Sequence, residues 1–343
     1  MNKRLGRLVN ISTITLLLVL PCAYSYAWPT QAEIFALNES IVQVIVETKD
    51  GNLGTGSGVV INSNFVATNC HVLANARGAN ISKYHENYSP LALRADWKHD
   101  VCLLRFDGLP FKPVPMRDSA NLKYEQAVFS IGYPNDNQVP QTSYGNVKAL
   151  YPYDDSLVIR TNASFAMGSS GGALFDEDFN LVGMTTFKSP GRNGYFYSMP
   201  VEWIRKLLDA PDVASLAATD DPFWSLPEAQ RPYFMQVVIP FQNKSWDDLE
   251  KISMAWSQHE DLNTEAWYYL GMAEYHKHDL PHATDYLAKA VSLNRMHLGA
   301  LYQLAIIANE KGDKPEALRL ATQVQQLDTG EGEALTNIIN PVQ

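Results

Sequence analysis

From Ile41 to about Met199 the apolar positions come in short runs punctuated by turn-forming residues. Ile41-Val42-Gln43-Val44-Ile45-Val46 is rich in β-branched residues and ends near Asp50-Gly51, a hairpin signal. Val59-Val60-Ile61, Phe65-Val66-Ala67, Val101 to Phe106, Ala127 to Ile131, Leu157-Val158-Ile159 and Leu181-Val182 continue the pattern. Asn62-Ser63-Asn64, Gly132-Tyr133-Pro134 and Asp176-Glu177-Asp178 mark turns between such runs. No helical pattern alternates with these strands, so a parallel α/β sheet is excluded in favour of a barrel or sandwich.

The pattern changes at Pro200. Val201 to Leu208 has helical spacing of apolar residues, and Asp209 to about Arg231 carries Pro211, Pro222 and Pro227 among several acids. That stretch reads as a linker or an extended wrap. Beyond it the chain is helical and repeats. An offset of 34 residues aligns Trp267 with Leu301, Leu270 with Leu304, Gly271 with Ala305, Asp279 with Asp313, Ala283 with Ala317 and Ala290 with Val324. With Trp267-x-x-Leu270-Gly271 opening one helix and Ala283 and Ala290 in the next, this region resembles the tetratricopeptide repeat. Arg295 stands where that family has a late proline. A plain bundle of helical hairpins is the alternative.

Lys3, Arg4 and Arg7 precede an apolar run from Ile11 to Leu20, and Ser25-Tyr26-Ala27 offers small residues at cleavage spacing. This is the layout of a secretory signal, with an anchoring or buried N-terminal helix as the alternative. The apolar fraction of 46% and charged fraction of 19% are those of a globular chain. The net charge of −10 becomes about −13 on cleavage, because three basic residues leave and no acid does. That charge excludes a general nucleic-acid binder. No later segment is long enough to span a membrane, so no stable membrane insertion is expected after cleavage.

Gly168-Ser169-Ser170-Gly171-Gly172 is the strongest chemical signal. Glycines around a nucleophilic serine let the loop turn sharply and aim backbone N–H groups at a developing oxyanion. The string also satisfies the G-x-S-x-G elbow, in which the acid and histidine follow the serine. Here every histidine after Ser170 (His259, His276, His278, His282, His297) lies in the helical region. Before it, Ala67-Thr68-Asn69-Cys70-His71 ends one apolar run and His99-Asp100-Val101 opens another. The order His, Asp, Ser is that of chymotrypsin-like enzymes. His276, His278 and His282 also suggest a metal site, but i and i+2 point to different helix sides and no further ligand completes a set. No metal and no organic cofactor is expected.

On these residues the segment from about Ile41 to Met199 resembles the trypsin-like serine proteases, and most the bacterial HtrA/Deg branch. Gly56-Ser57-Gly58-Val59-Val60, Thr68-Asn69-Cys70-His71-Val72, Asp100-Val101-Cys102-Leu103-Leu104, Ile131-Gly132-Tyr133-Pro134, the Gly168–Leu174 string and Val182-Gly183-Met184-Thr185 carry the resemblance in order. It implies an all-β double barrel, chymotrypsin-like, with two six-stranded barrels and the site between them, followed here by an all-α repeat domain instead of PDZ. It implies Ser170 as nucleophile, His71 as general base and then acid, Asp100 as its orienting partner, and the N–H groups of Gly168 and Ser170 as oxyanion hole. If His71 and Asp100 touch, the thiols of Cys70 and Cys102 are close; a disulfide is expected, with two buried free cysteines as the alternative. Ser164 and Phe165 supply no carboxylate for a basic P1 side chain. Thr186, Phe187 and Lys188 are placed on the strand that pairs with substrate, and Tyr195 at the pocket wall, giving a shallow apolar pocket for small aliphatic side chains.

The expected organisation is a signal peptide over 1–27, a protease domain over 28–210, a linker over 211–231 and a tetratricopeptide-like domain over 232–343. The expected function is an exported, periplasmic or secreted serine endopeptidase acting on protein or peptide substrates. Its repeats would recruit a protein partner or substrate. The alternative is a latent protease fold that works through its repeat surface.

Overall fold

The computed structural model describes residues 28–74, 76–191, 194–213 and 215–341; the expected signal peptide lies outside them. After helix α1 (Gln31–Asn38) come strands β1 (Ile41–Thr48), β2 (Leu53–Asn62) and β3 (Phe65–Thr68), a helical turn α2 (Cys70–Leu73), and β4 (Ala76–Lys83), β5 (Glu86–Tyr88), β6 (Ala92–Asp96) and β7 (Val101–Arg105). They form a seven-stranded antiparallel sheet in the order β5-β4-β1-β2-β3-β7-β6. Strands β8 (Ala127–Gly132), β9 (Gln141–Tyr153), β10 (Ser156–Thr161), β11 (Ala173–Asp176), β12 (Leu181–Lys188) and β13 (Phe196–Pro200) close into a six-stranded barrel.

The chymotrypsin-like architecture is therefore present, but only the second half is the expected closed six-stranded barrel. In the first half the β4–β5 hairpin adds a strand. The edge of β6 is taken by the incoming chain, where Val213 N–H donates to Leu93 O at 2.7 Å.

The period-2 geometry of a strand explains why the early runs are apolar on both faces. Val42, Val44, Val46, Val60, Val66 and Leu104 point into the core of the first sheet. Their neighbours Ile41, Val59, Ile61, Ala67, Val101 and Leu103 join a larger core shared with Phe129, Ile131 and Phe175 of the barrel.

That larger core continues into the helices. Helix α3 (Val201–Leu208) buries Trp203 and Ile204, and α4 (Tyr233–Gln236) stacks Phe234 on Tyr151 at 4.4 Å. After α5 (Val238–Asn243) and α6 (Trp246–His259), helices α7 (Thr264–His276), α8 (Leu280–Leu293), α9 (Leu298–Glu310) and α10 (Lys314–Leu327) pack in sequence, with α11 (Thr329–Ile339) last. The starts of α7 and α9, and of α8 and α10, are each 34 positions apart. The aligned aspartates play one role: Asp279 and Asp313 cap α8 and α10 by accepting from the backbone N–H three residues on. Gly271 lets α7 and α8 approach, since a Cβ there would lie 2.7 Å from Leu287 Cγ.

A polar cluster crosses from barrel to helices. Glu265 of α7 is fully buried, 3.7 Å from the Arg160 guanidinium of β10. It accepts from Tyr124 Oη at 3.0 Å and from His297 Nε2 at 2.9 Å. His297 Nδ1 accepts from Ala300 N–H, which places the ring proton on Nε2. Burial alone would push the Glu265 carboxyl up, but Arg160, His297 and Tyr124 outweigh it and hold it below the ordinary glutamate range. A carboxyl depressed by folding stabilises the fold above its unfolded pKa, and the contribution fades as pH falls through the folded value.

Glu265→Ala leaves Arg160 buried and uncompensated and is expected to cost about 3–5 kcal/mol. Urea unfolding at neutral pH checks this, and a loss below about 1 kcal/mol would contradict the role assigned to the cluster.

Candidate active site

Two short segments of the first sheet set His71 and Asp100. Strand β3 ends at Thr68, Asn69 stands at the N-terminal position of the single turn α2 without a side-chain capping bond, and that turn projects His71. Asp100 stands just ahead of β7 in a left-handed conformation (φ 59°). For a residue other than glycine that conformation needs support. Asp100 N–H donates to Trp97 O at 3.2 Å, and Asp100 O accepts from Asn69 Nδ2 at 2.8 Å.

The Cys70–Cys102 disulfide joins the two segments next to the facing residues. His71 Nδ1 donates to Asp100 Oδ2 at 2.6 Å, and His71 backbone N–H donates to Oδ1 at 2.8 Å. The carboxylate is sealed from water, whereas the imidazole side chain keeps 29% of its exposure. With its proton held on Nδ1, the neutral ring presents Nε2 as an acceptor toward the cleft.

The serine loop between β10 and β11 is held from several sides. Gly168 (φ 91°) and Gly171 (φ 88°) occupy backbone regions that side chains avoid. Met167 O accepts from Asn135 N–H at 2.7 Å. Gly168 O accepts from Ser57 Oγ at 2.8 Å, and that hydroxyl in turn accepts from Tyr133 N–H. Because a trans peptide opposes its C=O and N–H, pinning Met167 O toward Asn135 turns the Gly168 N–H the other way. Among the described residues neither that N–H nor the Ser170 N–H has a hydrogen-bond partner. Two such donors beside a serine hydroxyl are the chemistry of an oxyanion site. The Ser170 hydroxyl itself donates to Thr186 O at 3.1 Å rather than to His71.

Residues 56–184 match the family described as the trypsin-like peptidase domain. The chain carries a trypsin-like peptidase domain. Its homologues are HtrA and DegP proteases. It is 30% identical over 173 residues to Protease Do-like 1, chloroplastic, of Arabidopsis thaliana, covering 46% of this chain and 39% of that protein. Identity is 29% over 177 residues with Serine protease HTRA1A of Danio rerio, covering 48% and 36%. It is 31% over 156 residues with a probable periplasmic serine endoprotease DegP-like of Pseudomonas putida, covering 43% and 32%. The chain thus spans less than two fifths of the length of these relatives. A solved structure, the active form of the Rv3671c protease from M. tuberculosis, is 19% identical over 54% of this chain and 87% of that one, with a TM-score of 0.49.

Within and beyond the peptidase domain, the residues expected to bind substrate fall into separate groups. Thr186 is buried and donates its hydroxyl to Met184 O, while its carbonyl faces Ser170. Phe187 stacks on Tyr197 at 4.7 Å. Lys188 is exposed at the end of β12, its Nζ 5.7 Å from the Phe196 ring. Ser164 and Phe165 line a pocket of about 390 Å³ with Ser143, Ser169 and Thr185. Tyr195 instead carries the Arg160 guanidinium 4.6 Å over its ring and lines a cavity of about 290 Å³ against the helices.

Three contributors went unassigned in the sequence. Asn69 bridges Asp100 O and Thr186 Oγ1, and Ser57 pins the loop. Trp224 comes from the proline-rich stretch and donates Nε1–H to Asp100 Oδ2 at 3.0 Å. The one local signal for it is the aromatic pair Phe223-Trp224 inside an otherwise acidic segment.

Gly168→Ala tests the loop. A Cβ there would lie 2.5 Å from Tyr133 O in a left-handed backbone, so the peptide must move. Reaction of Ser170 with a fluorophosphonate is expected to fall about 100-fold or more in protein that still melts cooperatively. An unchanged rate would show that this peptide does not stabilise the reacting centre.

Proposed function

We propose that this chain is a serine endopeptidase that hydrolyses peptide bonds through an acyl-enzyme on Ser170, with His71 and Asp100 completing the triad. The observation that carries the reading is the sealed Asp100 carboxylate on His71 Nδ1, together with unpartnered Gly168 and Ser170 N–H groups flanking the serine. The Ser170 hydroxyl leaves Thr186 O, gives its proton to His71 Nε2, and its oxygen attacks the substrate carbonyl carbon. The oxyanion takes the two N–H groups, and Asp100 stabilises the imidazolium. His71 then protonates the departing amine as the C–N bond breaks. Water attacks the ester with His71 again as base, which releases the acid and restores the serine.

Ser164 and Phe165 leave the specificity pocket without a carboxylate, in keeping with small aliphatic P1 side chains. The edge of β12 from Thr186 to Lys188 is assigned to pairing with substrate backbone. The DegP-like relatives named periplasmic, the basic-then-apolar start of the chain and the Cys70–Cys102 disulfide together support export to an oxidising compartment. No helix of the described residues is long and apolar enough to cross a membrane. The 34-residue helix pairs are assigned the recruitment of a protein partner or substrate. One observation favours a second reading, a latent peptidase: the Ser170 hydroxyl is engaged by Thr186 O rather than by His71.

Purified protein is expected to be labelled by a fluorophosphonate and to cleave casein, with both lost in Ser170→Ala. The casein products should carry mainly small aliphatic residues at P1. Cleavage after Arg or Lys would overturn the pocket assignment, labelling that persists in Ser170→Ala would overturn the nucleophile, and folded but unlabelled wild-type protein would favour the latent form.

A further inference from the structure

We infer that Trp224, from the segment downstream of the peptidase domain, is a positioning residue for the catalytic acid; this rests on the triad reading above. The Asp100 carboxylate is buried, and its two oxygens receive three donors. Oδ1 takes the His71 backbone N–H, and Oδ2 takes both His71 Nδ1–H and the Trp224 indole N–H. Among the described residues no side-chain hydroxyl donates to that carboxylate. The Thr186 hydroxyl, linked to Asp100 O through Asn69, donates to Met184 O and accepts from Asn69. Hydrogen bonds to an ionised acceptor are the strong ones, and in a sealed site they fix its orientation.

The indole also braces the histidine. Its ring meets His71 edge-on at 5.4 Å with an interplanar angle of 86°, and stacks on Phe187 at 5.1 Å. The preceding residue anchors the arm. Phe223 is almost fully buried, donates its N–H to Lys98 O at 3.0 Å, and packs 4.5 Å from Tyr153. The arm is thus clamped to the barrel beside the residue it supports, although Trp224 lies 124 positions from Asp100 and outside the matched residues 56–184. The orientation of Asp100, and through it of His71, depends on a tryptophan contributed from outside the family domain.

The test is a double-mutant cycle in the full chain, read as the second-order rate at which a fluorophosphonate reacts with Ser170. Trp224→Phe keeps an aromatic ring and removes the donor. It is expected to slow the reaction about 10- to 100-fold in the wild-type background. In the Asp100→Asn background the same change should alter the rate less than about 2-fold, because the two residues act as one unit. An unchanged rate in the wild-type background overturns the inference. So does an equal fall in both backgrounds, which assigns Trp224 to packing on His71 alone. A second measurement needs neither labelling nor a Trp224 variant. In protein carrying ¹⁵N-indole tryptophan, one hydrogen-bonded indole N–H should shift on Asp100→Asn, and no such shift would overturn the contact. Folded wild-type protein that does not label while that indole does shift would favour the latent form and leave the contact standing.

Discussion

A carboxyl group with no access to water needs its oxygens answered by donors, and Asp100 sets that requirement for the whole site. Its three donors come from the turn after β3 and from a distant arm, and its own backbone is held in a left-handed conformation by Trp97 and Asn69. The Cys70–Cys102 disulfide limits how far the two segments can part. A histidine so constrained keeps one tautomer and one direction, which a general base requires.

The same economy of position governs the serine loop. Its carbonyls at Met167, Gly168, Ser169 and Ser170 are all occupied, by Asn135, Ser57 Oγ, Thr185 Oγ1 and Ser57 N–H. Among the described residues the Gly168 and Ser170 N–H groups remain without a partner, whereas those of Ser169, Gly171 and Gly172 are engaged by Ala166 O, Thr185 O and Ser169 O. The barrel that carries this loop is not free-standing. Its outer face shares a core with α3, α4, α6 and α7, and the Arg160–Glu265–His297 cluster crosses the same boundary. Helical and peptidase parts pack as one body through apolar contact with a buried charge pair inside it.

How much of this is legible in the sequence follows from where each signal lies. Strands β3 and β7 stand out because both faces are buried and their runs are almost wholly apolar, and β1 because β-branched residues fill it on either side of the half-buried Gln43. Strands β4 and β9 do not, because Ala76–Lys83 and Gln141–Tyr153 alternate buried positions with polar or partly exposed ones. The expected strand end at His71 is a helical turn instead. His71, Asp100 and Ser170 are legible because each sits in a local string that reports its own backbone. The contacts of Trp224 and of Glu265 with Arg160 are not, because they join residues more than a hundred positions apart and leave no periodicity behind. The 34-residue period is legible because the same capping aspartates and small crossing residues recur.

The account stands or falls on the bond between His71 and the buried Asp100. Proton NMR of the full chain measures it directly, through the far-downfield resonance of a histidine Nδ1 proton shared with a carboxylate. The resonance is expected in wild-type protein and in Ser170→Ala, and should be absent in Asp100→Asn. Its absence from folded wild-type protein, or its persistence when Asp100 is replaced, would contradict the arrangement from which the catalytic reading is built.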